Sequence, residues 1–512
     1  MVAREGRDVR GSTTVPITTV DVVETGVPNL DPILGGGLPR TGLALFLGPP
    51  GSGKTTLAQQ IAFHRATCGE RVLFLTGFSE THDKLVRLGQ TLRFFDPEQI
   101  GTTIHFGSLP DLLRESAEHA EDAILSTVRK IGARLVVLDG FRALGPLLGD
   151  ADSHAGVRFL YHLGTKLGLL GATTIVLVEG DATQPAAPAE LGVADVLVTL
   201  QLQTRYGRDR RLLQVRKRRG GQPLPGFHPY VIDSNGIQVW RRFESTVEAV
   251  EPVWSTRRAG FRNPPIDKLL HGGLPEGTVT LAAGSFGTGK TLLGLHFAAE
   301  GARLGEPALI VGFMESAAQL REKGRMFDLQ LEEYERTGAL RIVSLSAHDL
   351  EADRVAELLR EEIDRRGVRR LVLDSAAQIE RSIVDPERRP DFFAALVTYL
   401  RGRAVTTYMT YEVARYGVDV DLADTSIAVL AENLLLLRAV ESQGRMRRYF
   451  SIVHMRFSDH DHRLHEYTIE AGKGMRMLGE SVATAAHIPD PHLEAPQART
   501  SPTPDRDTGG RP

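Results

Sequence analysis

A chain of 512 residues exceeds one ordinary core, and its length favours two or three domains. Apolar residues make up 42% and charged residues 24%, a globular balance, and no apolar run is long enough to span a bilayer. The net charge of −3 gives no global field for a polyanion, and the single cysteine, Cys68, excludes an intrachain disulfide and any multi-cysteine zinc module. With residues 1–14 polar and lacking the apolar core of a signal peptide, the expectation is a cytoplasmic protein without a membrane association.

In chain order, residues 1–17 read as a disordered tail. Asn29-Leu30-Asp31 then leads through Gly36-Gly37-Leu38-Pro39 into an aliphatic strand at 43–47 and a glycine-rich loop. Apolar runs at 71–76, 135–139 and 173–179 alternate with amphipathic helical stretches, a pattern that predicts a mostly parallel sheet covered by helices on both faces. Polar-alternating strands at 196–215 follow without an intervening helix and read as antiparallel additions. The segment 243–262 joins this half to a second one with the same plan. There Pro265-Ile266-Asp267 and Gly272-Gly273-Leu274-Pro275 precede apolar runs at 308–313, 371–374 and 404–409, and antiparallel strands at 434–455 close the half. Residues 481–512, rich in Pro, Thr, Arg and Asp, read as a second disordered tail.

The two halves keep register. Pro39 to Lys54 and Pro275 to Lys290 are both 15 positions, and Lys54 to Asp139 is 85 against 84 from Lys290 to Asp374. The halves are one domain written twice, offset by 290 − 54 = 236 residues. The expected fold class is therefore α/β, with two tandem domains over 18–245 and 246–480, each a mostly parallel sheet flanked by helices with antiparallel strands at its C-terminal end.

Gly48-Pro49-Pro50-Gly51-Ser52-Gly53-Lys54-Thr55 and Gly284-Ser285-Phe286-Gly287-Thr288-Gly289-Lys290-Thr291 both match the P-loop pattern, each between a strand and a helix that continues with Thr56 or Leu292. Glycines let backbone N–H groups turn inward around phosphate, and the helix that begins at the lysine aims its positive end at the same anion. Lys54 and Lys290 are assigned to the β- and γ-phosphates of ATP, and the hydroxyls of Thr55 and Thr291 to Mg²⁺. Asp139 and Asp374 each end an apolar strand, where a Walker B carboxylate reaches the Mg²⁺ shell. Glu80 and Glu315 follow the second strand of each half and are candidates to activate the attacking water; the bland alternative is an acid that merely favours a helix N-terminus.

The arginine-dense stretch 205–219 has three readings: a solvated face, a nucleic-acid contact, or cations supplied to a neighbouring subunit's ATP. Strict alternation places Val215, Lys217 and Arg219 on one face and Arg216 and Arg218 on the other. Asp459-His460-Asp461-His462, with His465 nearby, has the composition of a metal site but no spaced partner cluster, and reads as a solvated hairpin loop.

With both P-loops, both glutamates, the duplicated Gly-Gly-Leu-Pro and the segment 434–456 in hand, the sequence resembles the KaiC family of double-domain RecA-like ATPases, from about Thr18 to Leu478. The resemblance implies a hexameric double ring with ATP bound between subunits, Lys217 and Arg219 acting in trans in the first ring and Arg456 in the second, and regulatory protein partners. The chain departs from the family pattern in places. Ser79 and Met314 replace the first of two adjacent glutamates, His454 and Phe457 replace a lysine and a glycine around Arg456, and Ala428-Val429 stand where the clock protein's phosphorylated Ser-Thr pair aligns. Three functions follow as expectations: a slow ATPase whose nucleotide state governs assembly and signalling, a serine/threonine autokinase, or a DNA-acting ATPase. Ala428-Val429 argue against the second. The mild negative charge and the absence of an aromatic-basic loop argue against nucleic acid.

Overall fold

The computed structural model describes residues 21–77, 82–113, 117–141, 155–180, 192–205, 208–248, 250–251, 255–413, 425–442 and 444–478. Both expected tails and Glu80 lie outside the described residues. The chain divides into two compact units, Met1–Thr246 and Val247–Pro512.

In the first unit a small clasp pairs β1 (Val22–Val23) with β2 (Leu38–Pro39). The Gly-Gly-Leu-Pro motif serves this clasp. Gly37 sits at φ 128°, and a Cβ there would meet the Val23 carbonyl oxygen at 2.6 Å, so only glycine fits. The main sheet contains β3 (Leu43–Gly48), β4 (Arg71–Thr76), β5 (Ile104–Ser108), β6 (Ala133–Asp139), β7 (Thr173–Glu179), β8 (Val196–Arg205), β9 (Arg208–Arg218), β10 (His228–Asp233) and β11 (Gly236–Val239). Their spatial order is β11-β10-β9-β8-β3-β7-β6-β4-β5. Pairing is parallel from β5 across to β8 and antiparallel beyond, so β8 closes the parallel set and the antiparallel additions begin at β9.

Helices on both faces explain why the parallel strands read as unbroken apolar runs. Ala44 and Phe46 of β3 enter one core with Leu57 and Ile61 of the helix Lys54–Thr67. Leu43, Leu45 and Leu47 enter the opposite core with Ile124 and Val128 of Ala117–Ile131 and Leu160 and Leu163 of Ala155–Leu169. Each such side chain contributes about 1.5–3 kcal/mol on full burial.

The second unit repeats the plan. Its clasp is β12 (Arg258–Ala259) with β13 (Leu274–Pro275), and a Cβ at Gly273 would meet the Ala259 carbonyl oxygen at 2.3 Å. Its sheet contains β14 (Val279–Gly284), β15 (Ala308–Gly312), β16 (Leu340–Ser344), β17 (Arg370–Asp374), β18 (Thr406–Glu412), β19 (Asn433–Ser442), β20 (Arg445–Met455), β21 (His465–Glu470) and β22 (Gly474–Met477). The order β16-β15-β17-β18-β14-β19-β20-β21-β22 matches the first unit strand for strand. Among the described residues no helix is long and apolar enough to cross a membrane.

One expectation of the sequence needs correction. Strict alternation fails at the end of β9, because Val198 pairs with Val215 while Leu197 pairs with Lys217. Arg216 is the extra residue of a β-bulge, and from it onward every side chain switches face. Lys217 therefore lies opposite Leu197, on the other face from Val215. The second unit carries the same bulge, with Val453 extra between Ile452 and His454.

Beyond the bulge, Gly220 and Phe457 occupy equivalent positions with φ of 69° and 64°. A phenylalanine in this left-handed conformation is strained, and its ring is 68% exposed. Replacing Phe457 by glycine should therefore raise the stability of the second unit by about 1 kcal/mol, measurable as a higher urea midpoint at unchanged slope. A lower midpoint would show that the Phe457 ring contributes packing worth more than the strain.

Candidate active site

Each P-loop leaves the C-terminal end of the central strand β3 or β14 and feeds a helix, Lys54–Thr67 or Lys290–Arg303. Gly53 and Gly289 precede these helices at φ 89° and 90°, a conformation that turns the loop back over the helix N-terminus. The β-hairpin at the far edge of each sheet buttresses the loop. Tyr230 donates its hydroxyl to the Ser52 carbonyl at 2.5 Å, and Tyr467 donates to the Thr288 carbonyl at the same distance. The Cδ1 atoms of Ile232 and Ile469 stand 2.5 and 2.9 Å from where a Cβ on Gly53 or Gly289 would lie. The last glycine of each motif is thus fixed by packing as well as by φ.

The lysines and threonines of the two loops make matching contacts. Lys54 Nζ donates to the carbonyls of Gly48 at 2.8 Å and Pro49 at 3.0 Å, and Lys290 Nζ donates to those of Gly284 and Ser285, both at 2.7 Å. Burial holds both ammonium groups below the usual lysine range, with Glu179 and Asp139 partly opposing it at Lys54 and Glu412 and Asp374 at Lys290. Thr55 Oγ1 donates to Asp139 Oδ2 at 2.9 Å, and Thr291 Oγ1 to Asp374 Oδ2 at 2.7 Å. The predicted Mg²⁺ ligands are therefore brought together in both units. In the second unit Gly287, Lys290, Thr291, Glu315, Asp374 and Glu412 line one cleft of about 290 Å³.

Glu315 lies immediately before the helix Ala317–Met326, whose N-terminus is fixed by a capping box: Ser316 Oγ accepts from Gln319 N, and Gln319 Oε1 accepts from Ser316 N. Both carboxylate oxygens of Glu315 accept from Lys323 Nζ at 2.7 Å, and Lys323 also lines the cleft. Sequence reasoning missed Lys323. It also missed Glu179 and Glu412, which end β7 and β18 beside the first residue of each P-loop, Gly48 and Gly284. Burial raises the Glu412 carboxyl above its ordinary value, with Lys290 the largest opposing influence. Thr410 donates to the second oxygen of Asp374.

The remaining candidates lie elsewhere. β8 runs parallel to β3 and β9 antiparallel to β8, so Lys217 and Arg219 stand at the edge of the sheet opposite their own P-loop. A six-residue strand puts about 20 Å between the two edges. Lys217 Nζ donates to the Gly192 carbonyl at 2.9 Å, and Arg219 Nη1 approaches Asp195 Oδ1 at 3.4 Å with its side chain 60% exposed. Arg456 takes the same place in the second unit: its N–H donates to the Glu432 carbonyl at 2.9 Å, as that of Arg219 does to Asp195. At the histidine-rich loop, Arg463 and His465 engage the Asp461 carboxylate, and the His460 and His462 rings lie 4.3 Å apart.

Along most of its length the chain is similar to known proteins. The family model described as "ATPase: KaiC" matches residues 23–244 and 264–481, one match in each unit. The chain is 27% identical over 468 residues to the circadian clock oscillator protein KaiC of Picosynechococcus sp., covering 89% of both chains. It is 28% identical over 475 residues to the protein of that name from Thermostichus vulcanus, again with 89% of both covered. The circadian clock protein KaiC3 of Synechocystis sp. is 26% identical over 467 residues, 88% of this chain and 90% of that one.

Proposed function

Because the chain belongs to the KaiC ATPase family, we propose that it binds and hydrolyses ATP with Mg²⁺ at two P-loop sites, each completed by a neighbouring copy in a hexameric double ring. The observation that carries this reading is the pair of Thr–Asp contacts, Thr55–Asp139 and Thr291–Asp374, beside a buried Lys54 and a half-buried Lys290 that lack a full counter-charge. Hydroxyl and carboxylate oxygens held together fit a hard divalent cation, and a triphosphate supplies the anion that burial of Lys54 and Lys290 leaves wanting. Bound there, Mg²⁺ neutralises charge on the β- and γ-phosphate oxygens.

The chain's own groups do the rest. Lys54 or Lys290 turns from the loop carbonyls to the phosphates, while P-loop N–H groups fix their position. Glu80 or Glu315 takes the proton of the attacking water. Lys217, Arg219 and Arg456 are too far from their own P-loops to act in cis. Their position at that edge, where Arg219 and Arg456 are exposed, suits a neighbour's γ-phosphate, where a cation stabilises the developing charge. We assign the ring a role as a cytoplasmic, nucleotide-dependent regulatory module that signals to protein partners.

Phosphate release by the full chain tests the assignment. Glu80→Gln and Glu315→Gln should each remove a separable share of Mg·ATP hydrolysis, and the double variant should lose about 100-fold or more. Hydrolysis that survives in the double variant would remove both glutamates from the role of base.

A further inference from the structure

The two repeats differ at the position eight residues after the candidate glutamate. Glu315 is held at both oxygens by Lys323, eight residues on and two turns into the following helix. Counted by the same register, the first unit has Leu88 in that place (80 + 8 = 88), on the helix His82–Gly89 and 51% exposed. Leucine offers a carboxylate nothing. At this one position the second repeat carries a cation and the first a hydrocarbon.

A general base must present an oxygen lone pair to the water it deprotonates. In hydrolysis the water oxygen bonds to the γ-phosphorus, the bond to the β,γ-bridging oxygen breaks with its electron pair leaving on the diphosphate, and the water's proton passes to the carboxylate. With both Glu315 oxygens donated to by Lys323, water competes with an ammonium group for each lone pair. The pair is only part-exposed, with side chains 30% and 31% accessible, so solvent screens it incompletely. Glu315 and Lys323 line the same cleft as Met314 and Phe327, where a bound nucleotide would desolvate the pair further.

We propose that Lys323 is a positioning residue that restrains the second site: it holds Glu315 in an ion pair that must open before each turnover. The proposal rests on Glu315 being the base of the second site.

The test uses the full chain carrying Glu80→Gln, so that only the second site reports, and measures Mg·ATP turnover with Lys323→Leu, Lys323→Gln and Lys323→Arg. Lys323→Leu and Lys323→Gln should raise kcat about three- to five-fold, the scale of one part-exposed ion pair, and leave KM unchanged. Lys323→Arg keeps a cation in reach and should restore the slow rate. A fall in kcat for the leucine and glutamine variants would overturn the proposal and make Lys323 a phosphate-stabilising cation. A rise in KM without a change in kcat would likewise overturn it and make Lys323 a nucleotide ligand. Glu80→Gln/Glu315→Gln is measured alongside. If that protein still hydrolyses ATP, the assignment of the base fails and this proposal with it; if it is inactive while all Lys323 variants match the parent, only the role of Lys323 fails.

Discussion

Lys54→Ala should leave one Mg·ATP bound per chain, Lys290→Ala should leave one at the other unit, and the double variant should bind none at micromolar nucleotide. Both ammonium groups are held among loop carbonyls in a largely buried position, and burial pushes both below the usual lysine range. That arrangement is unfavourable for the protein alone, since the carbonyl dipoles replace water only in part. A triphosphate reverses the balance by supplying full negative charge where the ammonium is already poised. Charge-assisted hydrogen bonds of this kind are worth about 3 kcal/mol, roughly 100-fold in Kd, so alanine should weaken one site by that much. Calorimetric titration with a non-hydrolysable ATP analogue reads both stoichiometry and affinity. A stoichiometry that stays at two in either single variant would mean that phosphate is held chiefly by backbone N–H groups. The matched geometry of the two units predicts losses of similar size; a much smaller loss at Lys290 would point to Glu412, the largest opposing influence on that lysine, as already satisfying its charge.

The Thr–Asp pairs were legible in the sequence because a duplicated chain gives every landmark a second witness. An aspartate after one apolar run is ordinary, whereas two such aspartates in register with two P-loops must share a structural cause. Residues without that support were missed. The strand read at 404–409 in fact runs Thr406–Glu412: Thr410 looks like a polar boundary, and Thr406 and Thr407 give no sign of where the strand begins. They are buried and satisfied instead: Thr406 Oγ1 accepts from Gly277 N, Thr407 donates to Val405 O and Thr410 donates to Asp374. The true strand end, Glu412, therefore stands outside the run that the sequence pattern marks. The bulge at Arg216 left no trace either, since an extra arginine within an arginine-rich strand changes no pattern. Lys323 escaped because helical spacing rules link positions three or four apart, while its contact with Glu315 spans a helix start and two further turns. The antiparallel strands were recognised from their lack of intervening helices. Their role in buttressing the P-loop through Tyr230 and Tyr467 is a tertiary contact across more than 170 residues, beyond the reach of any local pattern.

His296→Gln should stabilise the second unit and flatten its loss of stability in acid. In the first unit the equivalent residue is Gln60 (296 − 236 = 60), buried on the P-loop helix. Its amide ties that helix to β11: Oε1 accepts from Ile237 N at 2.7 Å, and Nε2 donates to Ile237 O at 3.2 Å. His296 is as buried, at 5% exposure, but neither ring nitrogen has a hydrogen-bond partner among the described residues. An unsatisfied buried polar group costs about 1–3 kcal/mol, so an amide that regains the Gln60 contacts should recover about 1–2 kcal/mol at neutral pH. Acid adds a second effect. Burial, with Arg262 adding to it, pushes the His296 imidazole from the usual 6.5 down to about 4. Above pH 6.5 the ring is neutral in both folded and unfolded chains, and pH has no influence through it. As pH falls from 6.5 towards 4, the unfolded chain takes up a proton that the folded one refuses, so stability is lost through that window and no further below it. The loss amounts to about 2 kcal/mol at pH 5 and approaches about 3 kcal/mol at pH 4. Urea unfolding of the second unit at pH 7.5 and pH 5, in parent and His296→Gln chains, measures both effects. The parent midpoint should drop between the two pH values by more than that of the variant. If both drop equally, the acid sensitivity belongs to other groups, and a lower midpoint for the variant at pH 7.5 would mean that the imidazole ring fills its site better than an amide can.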